Sequence, residues 1–299
     1  MRTRTITPLA VLAVALLAAC GSASSLKGEK VTVEATPAAM RQVADKTIAQ
    51  GSSHVAFTMA MTLDGRSVTI PGSGDFDPAR RLARMTMDMR SIADQVGGDA
   101  AGFASMFAKP MVMILSGTTM YMDFPPLAAL GGGKEWVKVD LAAKNPGIAD
   151  ALGAGTNTDP SNFLAYLRGA GQVTAVGTED IDGVSTTHFS GSYTLKQALD
   201  AAPADKRAAL ESVLANVPAD VQSREIPYDV WVDGDGLIHR MKMGFDLSGI
   251  KNAAGATATM TMDFSDFGKT VDITVPSDDQ VADLSDLMSS FSSEFSSAN

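Results

Sequence analysis

Apolar residues in this chain recur mostly at every second position, and that period decides the class of fold. Val55, Phe57, Met59, Met61 and Leu63 alternate with polar or small residues, the pattern of a strand with one buried face. Asp64-Gly65 follows, a dipeptide suited to a two-residue hairpin turn because such turns need positive φ. That turn sets Leu63 opposite Arg66, Met61 opposite Val68 and Met59 opposite Ile70. Met85, Met87 and Met89 form a third strand, and Met111–Leu115 and Thr119–Phe124, joined by Ser116-Gly117, form two more. Trp136, Val137 and Val139 lie in another.

The second half repeats the grammar. Val173–Ile181 and Val184–Leu195 flank Asp182-Gly183, and Ile226–Val232 and Leu237–Leu247 flank Asp233-Gly234-Asp235-Gly236. With Val232 opposite Leu237, one face carries Ile226, Tyr228, Val230, Val232, Leu237, His239, Met241, Met243, Phe245 and Leu247. Ala258, Met260, Met262 and Phe264 add a strand, and Val271, Ile273 and Val275 a last one before Pro276.

Helical spacing is confined to a few stretches. Pro37–Gln50, stopped by Gly51, places Met40, Val43, Ala44 and Ile48 on one side. Asp159 is the expected N-cap and Pro160 the first residue of a helix carrying Phe163, Leu164 and Leu167. Lys196–Val217 reads as one or two helices broken near Pro203, and Gly97–Ala108 as a helix or mobile lid. In a Ser-rich tail, residues 277–299, Val281, Leu284, Met288, Phe291 and Phe295 also keep helical spacing. The expected class is α+β, a meandering antiparallel sheet with helices on one side.

The amino terminus changes the picture from a bare domain to an exported one. Arg2 and Arg4 precede an apolar run from Leu9 to Ala19, shorter than the roughly 20 residues that span a bilayer. It has the length of a signal-peptide core. Leu17-Ala18-Ala19-Cys20, followed by Gly21 and Ser22, resembles the bacterial lipobox. In such signals the cysteine thiol receives a diacylglycerol and cleavage falls before it, so residues 1–19 are expected to be removed and Cys20 lipidated. Cys20 is the one cysteine in the chain, leaving no disulfide or cysteine metal site to compete for it. Residues 20–36 then read as a tether, its flexible part reaching roughly 20–25 Å, before a body over 37–276.

Composition narrows the partners. The net charge of −10 becomes −12 once Arg2 and Arg4 are lost, which argues against nucleic acid and against a basic patch on anionic lipid. The three histidines are isolated and lack metal-ligand spacing. Methionine pairs invite copper(I), which thioethers favour, but they stand without clustered His or Cys. Gly65-Arg66-Ser67-Val68-Thr69 lacks the final glycine of a nucleophile elbow and sits in a hairpin. In Asp233-Gly234-Asp235-Gly236, Leu237 takes the next ligand position of a calcium loop. No enzyme and no cofactor is expected.

Methionine carries the chemistry that remains. Of 17 methionines, 13 fall in groups spaced by two: Met59/Met61, Met85/Met87/Met89, Met111/Met113, Met120/Met122, Met241/Met243 and Met260/Met262. Strand geometry puts each group on one face. Met is unbranched and polarizable and suits a surface that repacks around variable apolar shapes. A loosely specified core is the alternative use of the same residues.

A resemblance extends this reading. The lipobox, the Asp-Gly hairpins, Trp136 after a strand and Asp159-Pro160 before an apolar helix resemble one family of lipoproteins. So do Tyr228-Asp229-Val230-Trp231-Val232-Asp233 running into Gly236-Leu237-Ile238, and Asp263-Phe264-Ser265-Asp266-Phe267-Gly268 ahead of Pro276. Together they are similar to the LppX/LprA/LprF/LprG lipoproteins of actinobacteria and, more remotely, to the LolA/LolB carriers. The resemblance covers residues 37–276 and implies a strongly curved half-barrel, LolA-like, with helices across its mouth and an apolar cavity for acylated lipids or glycolipids. The expected cavity residues are Phe57, Met59, Met61, Met85, Met87, Met89, Tyr228, Val230, His239, Met241, Met243, Phe245, Met260 and Met262. The expected role is a lipid carrier anchored on the extracytoplasmic face of the cell membrane, with a lipid exporter or acceptor as protein partner. The alternative is a lipid-responsive sensor or scaffold for a membrane protein.

Overall fold

The computed structural model describes residues 33–63, 65–91, 109–123, 133–141, 161–202, 217–248 and 255–287, with isolated positions between 204 and 215. Helix α1 spans Pro37–Ile48. Thr36 caps it from an extended backbone, its side chain accepting from the Ala39 N–H at 3.1 Å, and Pro37 stands where a helix needs no N–H. Its buried residues are Met40, Val43, Ala44 and Thr47, one stripe at helical spacing. The helix stops at Ile48, and Gly51 turns the chain with φ +81°.

Among the described residues twelve strands form a single sheet in the order β12-β6-β5-β4-β3-β2-β1-β11-β10-β9-β8-β7. They are β1 Ser53–Leu63, β2 Arg66–Asp77, β3 Leu82–Met87, β4 Met111–Ser116, β5 Thr119–Asp123, β6 Trp136–Asp140, β7 Val173–Ile181, β8 Val184–Tyr193, β9 Ile226–Asp233, β10 Ile238–Asp246, β11 Thr257–Ser265 and β12 Val281–Asp283. Each pairing is antiparallel except β12 with β6. β7 and β12 are the two edges, so the sheet is open. The β1–β2 register is the expected one, with Leu63 opposite Arg66, Met61 opposite Val68 and Met59 opposite Ile70.

Helices cover one face. Besides α1 these are α2 (Ser161–Tyr166) with a 3-10 turn at Leu167–Gly169, and α3 (Leu195–Asp200). A short α4 (Ala219–Gln222) leads into β9. Thr194 caps α3 with a reciprocal capping box to Gln197. Gly169 is needed at the α2–α3 crossing, because a Cβ there would stand 2.6 Å from the Ala198 backbone nitrogen. The main core joins Met40 and Val43 of α1, Leu164 and Leu167 of the α2 region and Ala198 of α3 to strand residues from β1–β3 and β8–β11.

Three expectations are corrected. In the β9–β10 hairpin Ile238, not Leu237, lies opposite Val232, and the register shifts before Arg240 pairs with Trp231. The Asp233 carboxylate accepts from the backbone N–H groups of Asp235 and Leu237, each at 2.9 Å. That side-chain turn lengthens the loop and displaces the register. Val271, Ile273 and Val275 do not form a paired strand. This segment packs on Ile114, Leu82, Tyr121 and Trp136, and Arg80 Nη2 donates to the Val271 carbonyl at 2.5 Å. The folded body continues beyond Pro276, through β12 to the buried Leu284. The Gly97–Ala108 segment, Asp159 and Pro160 lie outside the described residues.

Candidate functional site: the methionine face

Antiparallel pairing sets directly opposed residues on the same side of a sheet, so the register shows which methionines share a face. Met59 opposes Met260, which opposes Met243; Phe57 opposes Met262, which opposes Met241. Across β1 and β2, Phe57 opposes Gly72 and Val55 opposes Gly74. Those glycines oppose Met87 and Met85, which oppose Met111 and Met113, and Met113 opposes Met122. All twelve methionines within the strands therefore lie on one face of one sheet. It is the face that α1, α2 and α3 cover at the β8–β11 end.

Over β1–β3 and β8–β11 the opposite face is largely polar. Thr58 opposes Thr261, Ser73 opposes Thr86 and Arg240 opposes Asp263. On it His188 stacks on Trp231 at 4.3 Å and bonds Asp229 at 2.9 Å, while the Trp231 indole donates to Glu179 at 2.7 Å. The charged and hydroxyl groups of β1, β2 and β8–β11 thus lie on the side away from the methionines, while at the β3–β6 end the same side carries the apolar Ile114 cluster.

Along the methionine face burial changes. Met241, Met243 and Met262 are sealed under the helices, with Met241 and Met243 at 0% exposure. Met120 and Met122 are buried in a second cluster with Val137, Val139 and Leu284. Met59, Met61, Met85, Met87, Met111, Met113 and Met260 are half-buried. Between the two sealed zones, Ala83, Met85, Met113, Leu115 and Met120 line a cavity of about 10 Å³, room for about one water at most. A larger groove of about 400 Å³ runs along α1 but is lined by Glu34, Gln42, Lys46 and Asp235 among others, groups that suit water better than an acyl chain.

Twelve of the expected cavity residues belong to this face by register: Phe57, Met59, Met61, Met85, Met87, Tyr228, Val230, Met241, Met243, Phe245, Met260 and Met262. Two do not. Met89 lies beyond the end of β3. His239 sits at the β10 irregularity, between Ile238 and Arg240. Its Nε2 meets the Asp233 carboxylate at 2.8 Å and its ring stands edge-on to Phe267 at 5.6 Å. The bulge removes it from the row, because two residues there share one partner.

β2 contributes glycines where its neighbours contribute methionines and Phe57. Gly72 and Gly74 interrupt the methionine rows, and a Cβ on Gly72 would stand 2.3 Å from the Phe57 ring. The glycine lets the ring fold across the strand. The alternation Gly72-Ser73-Gly74 is the signal, since glycine inside a strand marks a close approach. A layer of three tyrosines lies in the main core. Tyr166 stacks on Tyr193 at 5.8 Å, Tyr193 lies 6.2 Å from Tyr228, and the Tyr193 hydroxyl donates to Met243 Sδ at 3.6 Å. Burial raises all three phenols above their ordinary range, Tyr228 to about 12. Tyr228 Oη is buried without a hydrogen-bond partner among the described residues. Gly191 makes space for it, since a Cβ there would stand 2.6 Å from that oxygen.

Among the described residues no group of three or more His, Cys, Asp or Glu side chains could hold a metal ion. No described helix is long and apolar enough to cross a membrane.

No family model matches the chain. A Streptomyces griseus protein, described as an uncharacterized 31.2 kDa protein of the rplA-rplJ intergenic region, is 29% identical over 268 residues, covering 84% of this chain and 80% of its own length. Among solved structures, LprF from Mycobacterium bovis is similar over 81% of this chain and 98% of its own, with 16% identity and a TM-score of 0.45. The Mycobacterium tuberculosis lipoprotein LppX is similar over 80% of this chain and 100% of its own, with 15% identity and a TM-score of 0.44. Both carry names of the group that the sequence resembles.

Proposed function

We propose that this chain is a lipoprotein anchored through Cys20 on the extracytoplasmic face of the membrane, and that it binds acylated lipid on its methionine face and carries it between envelope layers. The observation that supports this reading is the half-buried row of seven methionines, Met59, Met61, Met85, Met87, Met111, Met113 and Met260, on the same face as a sealed core. A sixteen-carbon chain in water costs roughly 13 kcal/mol at ~0.8 kcal/mol per methylene, so a carrier must supply apolar surface of this kind. Unbranched thioethers adapt to chains of differing length and unsaturation at little strain. The cavity of about 10 Å³ is smaller than any acyl chain, so loading requires side chains or covering elements to move.

Native mass spectrometry of the purified chain, followed by lipid extraction, tests the proposal. Acylated lipid released on denaturation is the expected result. A clean apo mass, with no uptake from a lipid extract of the host organism, overturns it.

A second reading has one observation in its favour. β7 is an edge of the sheet, and its residues from Thr174 to Asp180 are exposed, Val176 at 57%. A free edge accepts a further strand, which suits a sensor or scaffold for a membrane protein. One stable cross-linked protein partner in cells, without bound lipid, selects this reading over the carrier.

A further inference from the structure

The path of the chain after β11 places two leucines where an acyl chain would lie. Residues 271–275 run over the side of the sheet away from the methionines, against Ile114, Tyr121 and Trp136. The chain then reaches the β6 edge, where Val281, Ala282 and Asp283 pair in parallel with Trp136, Val137 and Lys138. Lys138 and Asp283 form an ion pair at 3.6 Å. Beyond that pair the chain has rounded the edge. Leu284, 6% exposed, and Leu287 pack on Met113, Met120, Met122, Val137 and Val139, on the methionine face.

We infer that the surface beneath Leu284 and Leu287 is an acyl-chain subsite, and that the strap from Ser277 to Leu287 is its built-in competitor, leaving as lipid enters. The inference rests on the carrier reading. Three features carry it. Met113 and Met120 line both the small cavity and the Leu284 cluster, so withdrawal of the leucines would join the two spaces. The residues beneath are apolar and include three methionines, the side chains least disturbed by exchanging a leucine for a methylene chain. The strap's backbone pairs with the sheet over three residues, with the half-exposed Lys138–Asp283 ion pair and a hydrogen bond from Lys134 Nζ to the Asp279 carbonyl beside it, whereas β1 pairs with β2 over eleven positions. Local opening follows the weakest element.

The test is a disulfide that locks the strap. Lys138→Cys with Asp283→Cys joins register partners at the sheet edge without touching the core, and opposed Cα atoms on neighbouring strands fall within disulfide reach. Uptake of a pyrene-labelled sixteen-carbon phospholipid from vesicles is followed in the full chain, oxidised and then reduced. The expected result is at least a ten-fold slower uptake when oxidised, restored by reductant, and faster uptake than the parent in Leu284→Ala/Leu287→Ala. Equal uptake by the oxidised and reduced forms overturns the strap while leaving the carrier standing. No uptake by any form, the parent included, overturns both. Far-UV circular dichroism of each form establishes that the sheet is intact.

Discussion

The two ends of the methionine face use one residue type in opposite ways. At the β8–β11 end Met241, Met243 and Met262 lie under three helices and a tyrosine layer, and they act as core. At the β3–β6 end Met85, Met87, Met111 and Met113 stay half-buried, with Leu284 and Leu287 at their margin. The strands carry the same alternation in both places. What differs is the cover, a helix layer fixed by Met40, Val43 and Ala44 against a strap whose backbone pairing spans three residues. Polarizable side chains alone do not make a binding surface. A binding surface also needs a cover that can leave.

Substitutions can break this comparison. The largest effect is expected at the sealed end, where Met243→Ala removes a fully buried side chain and its contact with the Tyr193 hydroxyl. Chemical denaturation should show a loss of about 2–5 kcal/mol. Met87→Ala at the half-buried end should lose less than about 1.5 kcal/mol, since only part of a ~1.5–3 kcal/mol burial is at stake. Equal losses would mean that both ends are core. For lipid loading the order reverses: Met61→Asp and Met87→Asp should fold and lose loading, whereas a charge at Met243 should unfold the chain.

Gly72→Ala comes next. A Cβ that meets the Phe57 ring at 2.3 Å should cost about 1–3 kcal/mol. Shortening the ring with Phe57→Leu should recover part of it, as a double-mutant cycle would reveal.

The tyrosine layer gives a pH signature. Tyr166, Tyr193 and Tyr228 are raised by burial, Tyr228 to about 12 from an ordinary 10. Above pH 10 the unfolded chain has lost phenolic protons that the folded chain keeps, so folding stability is whole below pH 10 and falls as pH rises toward 12. Alkaline denaturation should be shallower in Tyr193→Phe. An unchanged slope would show that this phenol titrates normally.

The smallest effect concerns one oxygen. Tyr228→Phe deletes a buried hydroxyl without a partner among the described residues, and should leave stability unchanged or raise it by about 1 kcal/mol. Lipid uptake weakened ten-fold by the same change would instead assign that hydroxyl to a ligand's polar group.

Much of this molecule was written in its alternation. The β1–β2 register, the strands around Met111–Leu115 and Thr119–Phe124, and the one-sided placement of each methionine group follow from a period of two and from turn residues. Where a side chain competes with the backbone for hydrogen bonds, alternation alone misplaces the register. Asp233 drew two N–H groups to its carboxylate, moved the β10 register and took His239 off the face. A fixed count of turn residues cannot anticipate that. Likewise Val271, Ile273 and Val275 alternate as a strand does, yet they lie across a finished sheet, because alternation reports which side chains are buried and not which backbone is paired.

By itself the sequence determined a sheet of alternating strands and six groups of methionines, each on one side of its strand. Those are local properties, set by the side-chain period and by turn chemistry within a few residues. Only the tertiary structure decided that the groups meet on one face, that helices seal one end, and that the carboxyl-terminal strap rounds the β6 edge to cover the other. Strand order and cover depend on contacts between distant residues such as Leu284 and Met120. Their stability comes from apolar area removed from water by neighbours that no local pattern names.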